Sequence, residues 1–343
     1  MLTVLIPAYQ PDEKLTRLIK NCRGEGLESF VVVDDGSDRD RDPVFKELEE
    51  LGCTVLRHEK NMGKGAALKT GFAFIAEKLA DCRGVVTADA DGQHLPEDIK
   101  KVADRVAPGK LILGARDFSG TSVPLRSRFG NSFSSAFFRL LTGVSCPDTQ
   151  TGLRGFPVDL LPEALETEGD RYEYEMELLT RLADRKIPFE YVKIGTVYEK
   201  GNTTSHFRPV RDSLRIYRKP LRYASSSLIC SGVDLGLFTV MNSFLFAATE
   251  NRILFSTVLA RLISGLVNFI INKKWSFQKK GNTGRQLTRY ALLFFAQMFT
   301  SSALVQLISF LPIHDTLCKA VVDVALFFVS FAIQRRWVYR EDI

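Results

Sequence analysis

Four long apolar stretches late in the chain, residues 224–249, 253–272, 290–311 and 317–334, constrain the fold more than any other feature. Each is about as long as an α-helix must be to cross the hydrocarbon core of a bilayer, where backbone N–H and C=O groups can be satisfied only within the segment. The series predicts an all-α, four-span transmembrane domain. Before it, up to about residue 222, charges are dense and apolar runs short, so the rest of the chain reads as a water-facing domain. The start MLTVLIPAY has no basic leader and is read as a strand, not a signal peptide.

Basic residues orient the spans. Arg211, Arg215, Arg218, Lys219 and Arg222 precede the first stretch. Lys273, Lys274, Lys279, Lys280, Arg285 and Arg289 separate the second from the third, and Arg335, Arg336 and Arg340 follow the fourth. The positive-inside rule then puts both termini and the N-terminal domain in the cytoplasm, making an integral protein of the cytoplasmic membrane. This bias, with attraction to anionic lipid, accounts for the net charge of +6, and no nucleic-acid partner is expected. Six cysteines without a CxxC pair suit a reducing compartment and no zinc site. Val210, Leu214, Tyr217 and Leu221 form an apolar stripe beside the arginines at 211, 215, 218 and 222, the pattern of a helix lying on a membrane surface. The expected domains are therefore 1–208, an interface helix over 209–222, and a membrane domain over 223–343.

Within 1–208, the short β-rich runs LTVLIPAY, FVVVDDGS, CTVLRH, GVVTADAD and KLILGARD alternate with helix-like segments at 12–22, 42–51, 64–79 and 96–106. That alternation predicts a parallel sheet covered by helices, with ligands beyond the carboxyl ends of the strands. Those ends carry Pro7-Ala8-Tyr9, Asp34-Asp35-Gly36-Ser37, Asp89-Ala90-Asp91 and Gly114-Ala115-Arg116. Asp89 and Asp91 have no Lys or Arg close by in sequence. Two carboxylates so placed repel unless a cation lies between them, which points to a divalent metal on hard oxygen ligands rather than a simple helix cap. Gln93 or His94 is expected to reach the same ion. Asn61-Met62-Gly63-Lys64-Gly65 offers N–H groups and a lysine at a helix N-terminus, where phosphate binds.

VLIPAY, VVVDDGS, NMGKGAAL and ADADGQH, in that order, resemble glycosyltransferase family 2. Within it the likeness is to polyprenyl-phosphate sugar transferases of the dolichol-phosphate mannose synthase type. The resemblance covers residues 1 to about 210 and implies a Rossmann-like α/β fold of the GT-A nucleotide-sugar class. It implies that Pro7, Ala8, Tyr9, Asp34, Asp35, Gly36, Lys64, Asp89 and Asp91 bind the nucleotide sugar, and that Asp89, Asp91 and Gln93 hold Mg²⁺ or Mn²⁺. Where that family often has Asn-Glu after the first strand, this chain has Gln10-Pro11.

A phosphate acceptor is already anionic at pH 7, so its site needs cations to orient it rather than a strong base. Arg116, Arg126, Arg128, Asn131 and Ser132 lead into a helix bearing Phe133, Phe137, Leu140 and Leu141: a basic mouth beside an apolar ridge, suited to a lipid phosphate. The segment Asp148 to Phe156 matches the family's acceptor side, so Arg154 joins Arg116, Arg126, Arg128 and Ser132 as an expected phosphate contact. Asp91, Arg116 and Asp148 are the expected catalytic group. Glu175 is more simply read as an acidic first-turn residue complementing a helix dipole.

NFIINKKWSF, 268–277, and SFAIQRRWVY, 330–339, align without gaps at an offset of 62, and Arg222-Tyr223-Ala224 matches Arg289-Tyr290-Ala291. The membrane domain therefore reads as two repeated helical hairpins, resembling the GtrA-like family of four-helix proteins associated with glycolipid translocation. Asp234, Arg261 and Asp323 fall near mid-bilayer, so Arg261 is expected to pair with Asp234, Asp323 or both. The expected activity is transfer of a hexose from UDP-glucose, a UDP-N-acetylhexosamine or GDP-mannose to undecaprenyl or dolichyl phosphate, with inversion. A homo-oligomer is compatible with this. The alternatives are a lipid-linked-sugar translocator whose soluble domain only binds, and a processive polysaccharide synthase.

Overall fold

A computed structural model describes residues 1–118, 125–195, 218–277, 281–308 and 315–339. It divides the chain into two compact units, Met1–Ile216 and Tyr217–Ile343. The interface helix expected over 209–222 falls mostly outside the described residues, as does the side chain of Arg126.

The first unit is a seven-stranded sheet with helices on both faces. Its strands are β1 (Leu2–Ala8), β2 (Ser29–Asp34), β3 (Thr54–Arg57), β4 (Gly84–Thr87), β5 (Leu111–Arg116), β6 (Arg154–Pro157) and β7 (Phe189–Ile194), in the order β3-β2-β1-β4-β6-β5-β7. The helices are α1 (Glu13–Gly24), α2 (Asp42–Glu50), α3 (Lys64–Lys78), α4 (Pro96–Arg105), α5 (Leu125–Thr142), α6 (Leu161–Leu165) and α7 (Glu173–Asp184). The two-residue period of a strand builds two cores. Leu5, Val31, Val33 and Val85 point to the side of α3, α6 and α7, with Phe72, Ile75 and Leu179. Val4, Ile6, Val32 and Val86 point to the side of α1, α2 and α4, with Leu15, Ile19 and Val102.

The expected parallel sheet is corrected at one strand. β6 runs antiparallel between β4 and β5, pairing Thr87 with Arg154 on one side and Leu113 with Arg154 on the other. Arg-Gly-Phe-Pro is too short to carry a hydrophobic period, so the alternation rule passes over it. Its reversal matters for the site. An antiparallel strand begins where its neighbours end, so β6 brings the loop before it, residues 148–153, to the carboxyl end of β4. The Thr87 hydroxyl fixes this join by donating to the Gly152 carbonyl at 2.8 Å.

The second unit consists of α8 (Arg218–Val240), α9 (Arg252–Ile271), α10 (Thr283–Ile308) and α11 (Asp315–Ile333). Among the described residues, two segments are long and apolar enough to cross a membrane, Leu221–Leu245 and Arg252–Ser276. After α9 and after α11 the chain makes a five-residue π-helical turn, Asn272–Ser276 and Gln334–Val338. Arg222 donates to the Trp275 carbonyl at 3.4 Å, and Arg289 to that of Trp337 at 3.1 Å.

Between the helices lies a buried polar network. Tyr223 of α8 donates to Ser330 of α11 at 3.0 Å, while Tyr290 of α10 donates to Asn268 of α9 at 3.0 Å. Asn272 donates to Gln334 at 3.3 Å and accepts from Ser226 at 2.5 Å. Outside this buried network, Arg261 Nε lies 3.4 Å from Asp234, the pairing expected from the sequence, but its side chain is 62% exposed rather than turned inward, and the exposed Asp323 accepts from Ser301 at 2.9 Å. Burying an unmatched polar group costs about 1–3 kcal/mol. Asn272→Leu, which strands the partners of one central side chain, should lower the thermal midpoint of the detergent-solubilised chain. An unchanged midpoint would show that the network is not structural.

Candidate active site

The carboxyl ends of β1, β2 and β4 form one rim, and the candidate residues gather there. Asp89 and Asp91 follow β4. Asp91 accepts from the N–H of Gln93 at 3.0 Å, and His94 accepts from the N–H of Asp89 at 3.1 Å through Nδ1, which leaves its proton on Nε2. Burial pushes the His94 pKa down, against the pull of Asp89 and Asp91, so the ring is neutral.

The cation that the sequence did not offer comes from α3. Lys64 Nζ sits 2.7 Å from Asp89 Oδ1 and 3.0 Å from Glu175 Oε2. Burial opposes its charge, but Asp89 and Glu175 outweigh that and raise the ammonium pKa above its ordinary range. Burial likewise works against the Asp89 carboxylate, and Lys64, with Arg116 farther off, holds it well below the usual range. Asp91 goes the other way: burial and the neighbouring Asp89 charge both raise it. The row continues through Glu175 to Arg154, whose guanidinium lies 3.9 Å from the Glu175 carboxylate.

Backbone geometry sets this row. Gly63 caps α3 at φ 111°, a conformation that side chains rarely adopt, and a Cβ there would lie 2.4 Å from the Asp170 carbonyl. A Cβ on Gly152 would fall 2.3 Å from Asp89 Oδ2, so only glycine lets the 148–153 loop approach the carboxylate. Asp35 is buried, and its oxygens accept from Met62 N, Gly63 N and His58 Nδ1, each at 2.8 Å. Thr70 holds the other ring nitrogen of His58 at 2.9 Å. Asp35 thus fastens the turn that aims Lys64. Asp34 accepts from Ser37 N at 2.8 Å, and Ser37 accepts from Gln10 N at 2.9 Å, tying Pro7, Ala8 and Tyr9 to Gly36 across the β1–β2 rim.

Arg116, at the end of β5, meets Asp148 in a two-pronged pair, Nε to Oδ2 at 2.7 Å and Nη2 to Oδ1 at 3.0 Å. Asp148 is wholly buried, also accepts from Gln150 N, and so serves to orient Arg116. Arg154 is 2% exposed and donates to the carbonyls of Thr151 and Glu175, both at 2.9 Å, which makes it the anchor of its loop rather than an open-surface cation. α5 is tied to the same loop by Asn131, donating to the Pro147 carbonyl at 2.7 Å. Along it Ser132 is exposed, Arg128 half-buried, and Phe129 and Phe133 stand 75% and 46% exposed. Sequence reasoning missed the roles of Glu175 and His58, because each acts through a partner more than ten residues away.

Residues 3–161 match the family described as glycosyl transferase family 2, and residues 222–339 match the GtrA/DPMS transmembrane domain. A UDP-N-acetylglucosamine–dolichyl-phosphate N-acetylglucosaminyltransferase from Methanococcus voltae is 31% identical, over 58% of this chain and 86% of its own. An undecaprenyl-phosphate mannosyltransferase from Micrococcus luteus is 27% identical, over 55% and 82%. A glucosyl-3-phosphoglycerate synthase from Mycobacterium tuberculosis, solved with Mn²⁺, UDP and phosphoglyceric acid, is 18% identical with a TM-score of 0.49 over 65% of this chain and 76% of that one. The chain belongs to glycosyl transferase family 2 and carries a membrane domain of the GtrA/DPMS type.

The donor set fits a hard divalent ion. Asp89 and Asp91 offer carboxylate oxygens, and burial first, then the Asp89 charge, pushes the Asp91 pKa up. Among the described residues no cluster of three His, Cys, Asp or Glu could hold a metal, so Mg²⁺ or Mn²⁺ here would complete its shell from substrate and water, as Mg²⁺ commonly does. Asp91→Asn removes a destabilised, half-buried charge. It should abolish transfer while leaving the thermal midpoint equal to or above that of the parent; a clear drop would mean that Asp91 holds the 91–93 turn rather than a metal.

Proposed function

We propose that this enzyme moves a hexose from a nucleotide sugar to a polyprenyl phosphate at the cytoplasmic face of the membrane, with inversion. UDP-glucose, a UDP-N-acetylhexosamine and GDP-mannose are the candidate donors, and undecaprenyl or dolichyl phosphate the acceptor. The observation that carries this reading is the exposed Phe129–Phe133 ridge beside Arg128, on a helix tied to the loop that orients Arg116. An aromatic ridge next to cations suits an amphiphile with an anionic head. The named relatives from Methanococcus voltae and Micrococcus luteus support the same acceptor class.

Chemically, an acceptor phosphate oxygen displaces the nucleoside diphosphate from the anomeric carbon in a single step. No strong base is required, and His58 and His94 are both buried and engaged within the protein. Lys64 and Arg116 stabilise charge on the departing diphosphate and the incoming phosphate. Mg²⁺ or Mn²⁺ on Asp89 and Asp91, with Gln93 close by, would add positive charge against the leaving group. Pro7, Ala8, Tyr9, Asp34 and Gly36 face base and ribose, with Asp35 acting through the turn it holds. Arg128, Arg126 and Ser132 meet the acceptor phosphate beside Arg116.

The membrane domain, 223–343, is read as four spans in two repeated hairpins, preceded by an interface helix over 209–222, and it is free to form homo-oligomers. Supporting the repeat, Tyr223 and Tyr290 are equivalent positions and each bonds to the other hairpin, at Ser330 and Asn268, which are themselves equivalent. The test is turnover by the purified full chain with each donor and a polyprenyl phosphate. A sugar-linked lipid is expected from one donor. Arg128→Ala should raise KM for the lipid roughly 30-fold, or about 2 kcal/mol, with donor KM unchanged. Hydrolysis without lipid product would favour a different acceptor.

A further inference from the structure

We infer that Lys64 is a built-in counter-cation that a divalent ion must displace from Asp89, and that Glu175 is the carboxylate that retains the displaced ammonium. The inference rests on the metal-assisted transfer proposed above and adds a mechanism of exchange to it. Three observations converge. First, Asp89 Oδ1 already bears the Lys64 ammonium at 2.7 Å. Second, its other oxygen is crowded on the side of the 148–153 loop, where Gly152 packs so closely that a Cβ would lie 2.3 Å from Oδ2. An ion shared by Asp89 and Asp91 therefore competes with Lys64 for the same carboxylate, and two cations cannot share it without strong repulsion. Third, Lys64 has a second anion within reach, Glu175 Oε2 at 3.0 Å.

Glu175 is positioned to stay when Asp89 is taken. Its carbonyl accepts from Arg154 Nη1 at 2.9 Å, and Arg154 is itself held by the Thr151 carbonyl at 2.9 Å. The Lys64 stem rises from the first turn of α3, where Gly63 is fastened by Asp35, so the ammonium moves by side-chain rotation alone. Charge arithmetic points the same way. Asp89, Asp91, Glu175 and Asp148 exceed Lys64, Arg154 and Arg116 by one negative charge. A divalent ion turns that into one positive charge, and the Lys64 protons freed from Asp89 then face an incoming diphosphate. The site thus repels free diphosphate until metal arrives, and binds the two together.

The exchange is tested by Mn²⁺ binding to the full chain without nucleotide, read as loss of the free Mn²⁺ electron-resonance signal. Lys64→Met should bind Mn²⁺ about tenfold or more tightly than the parent, because the competitor is gone. The same variant should bind UDP or GDP more weakly once Mn²⁺ is present. Lys64→Arg, which keeps the charge and guards against a folding defect in the first variant, should not gain Mn²⁺ affinity. Glu175→Gln should weaken Mn²⁺ binding, since Lys64 then holds Asp89 alone. Unchanged or weaker Mn²⁺ binding by Lys64→Met overturns the exchange while leaving metal-assisted transfer standing. Absence of Mn²⁺ binding to every form, even with UDP or GDP present, overturns both.

Discussion

The first unit is organised around one ammonium between two carboxylates. Lys64 joins the end of β4, through Asp89, to the start of α7, through Glu175, and does so from the first turn of α3. Charges this enclosed are tolerated only when each has a partner. Much of the surrounding backbone serves that requirement: the Gly63 cap, the Asp35 fastening of the 61–64 turn, the close approach of Gly152 and the buried guanidinium of Arg154. Reversal of β6 is what delivers the last two to the rim.

That requirement separates what the sequence discloses from what it does not. The rim motifs were legible because each is local: a buried apolar strand ends, and a turn with unusual polar residues follows at once. Their collection on one edge follows from the parallel arrangement of β1, β2 and β4. The partnership of Asp89 with Lys64 was not legible, since the residues are far apart in sequence and only the fold makes them neighbours. Glu175 sits in a helix's first turn, where the dipole alone explains an acidic residue, and its pairing with Lys64 is a tertiary fact. β6 is not legible because four residues cannot show a period.

The membrane unit shows the same division. Apolar length disclosed its helices, and the gap-free match of 268–277 to 330–339 sets Asn272 and Gln334 at corresponding positions in the sequence. Sequence could not disclose that these two side chains touch, nor that the tyrosines at 223 and 290 reach across to opposite partners. Apolar helices gain little from packing on one another in lipid, so polar contacts of this kind carry much of their specificity.

The central claim is that the rim formed by Lys64, Asp89 and Asp91 is a metal-dependent site for the donor's diphosphate. It is tested most directly by equilibrium binding of UDP and GDP to the purified full chain, with Mn²⁺ and with a chelator. The account predicts that one of them binds about tenfold or more tightly with Mn²⁺, and that Asp89→Ala abolishes this gain. Equal binding with and without metal, or a gain that survives Asp89→Ala, would contradict it.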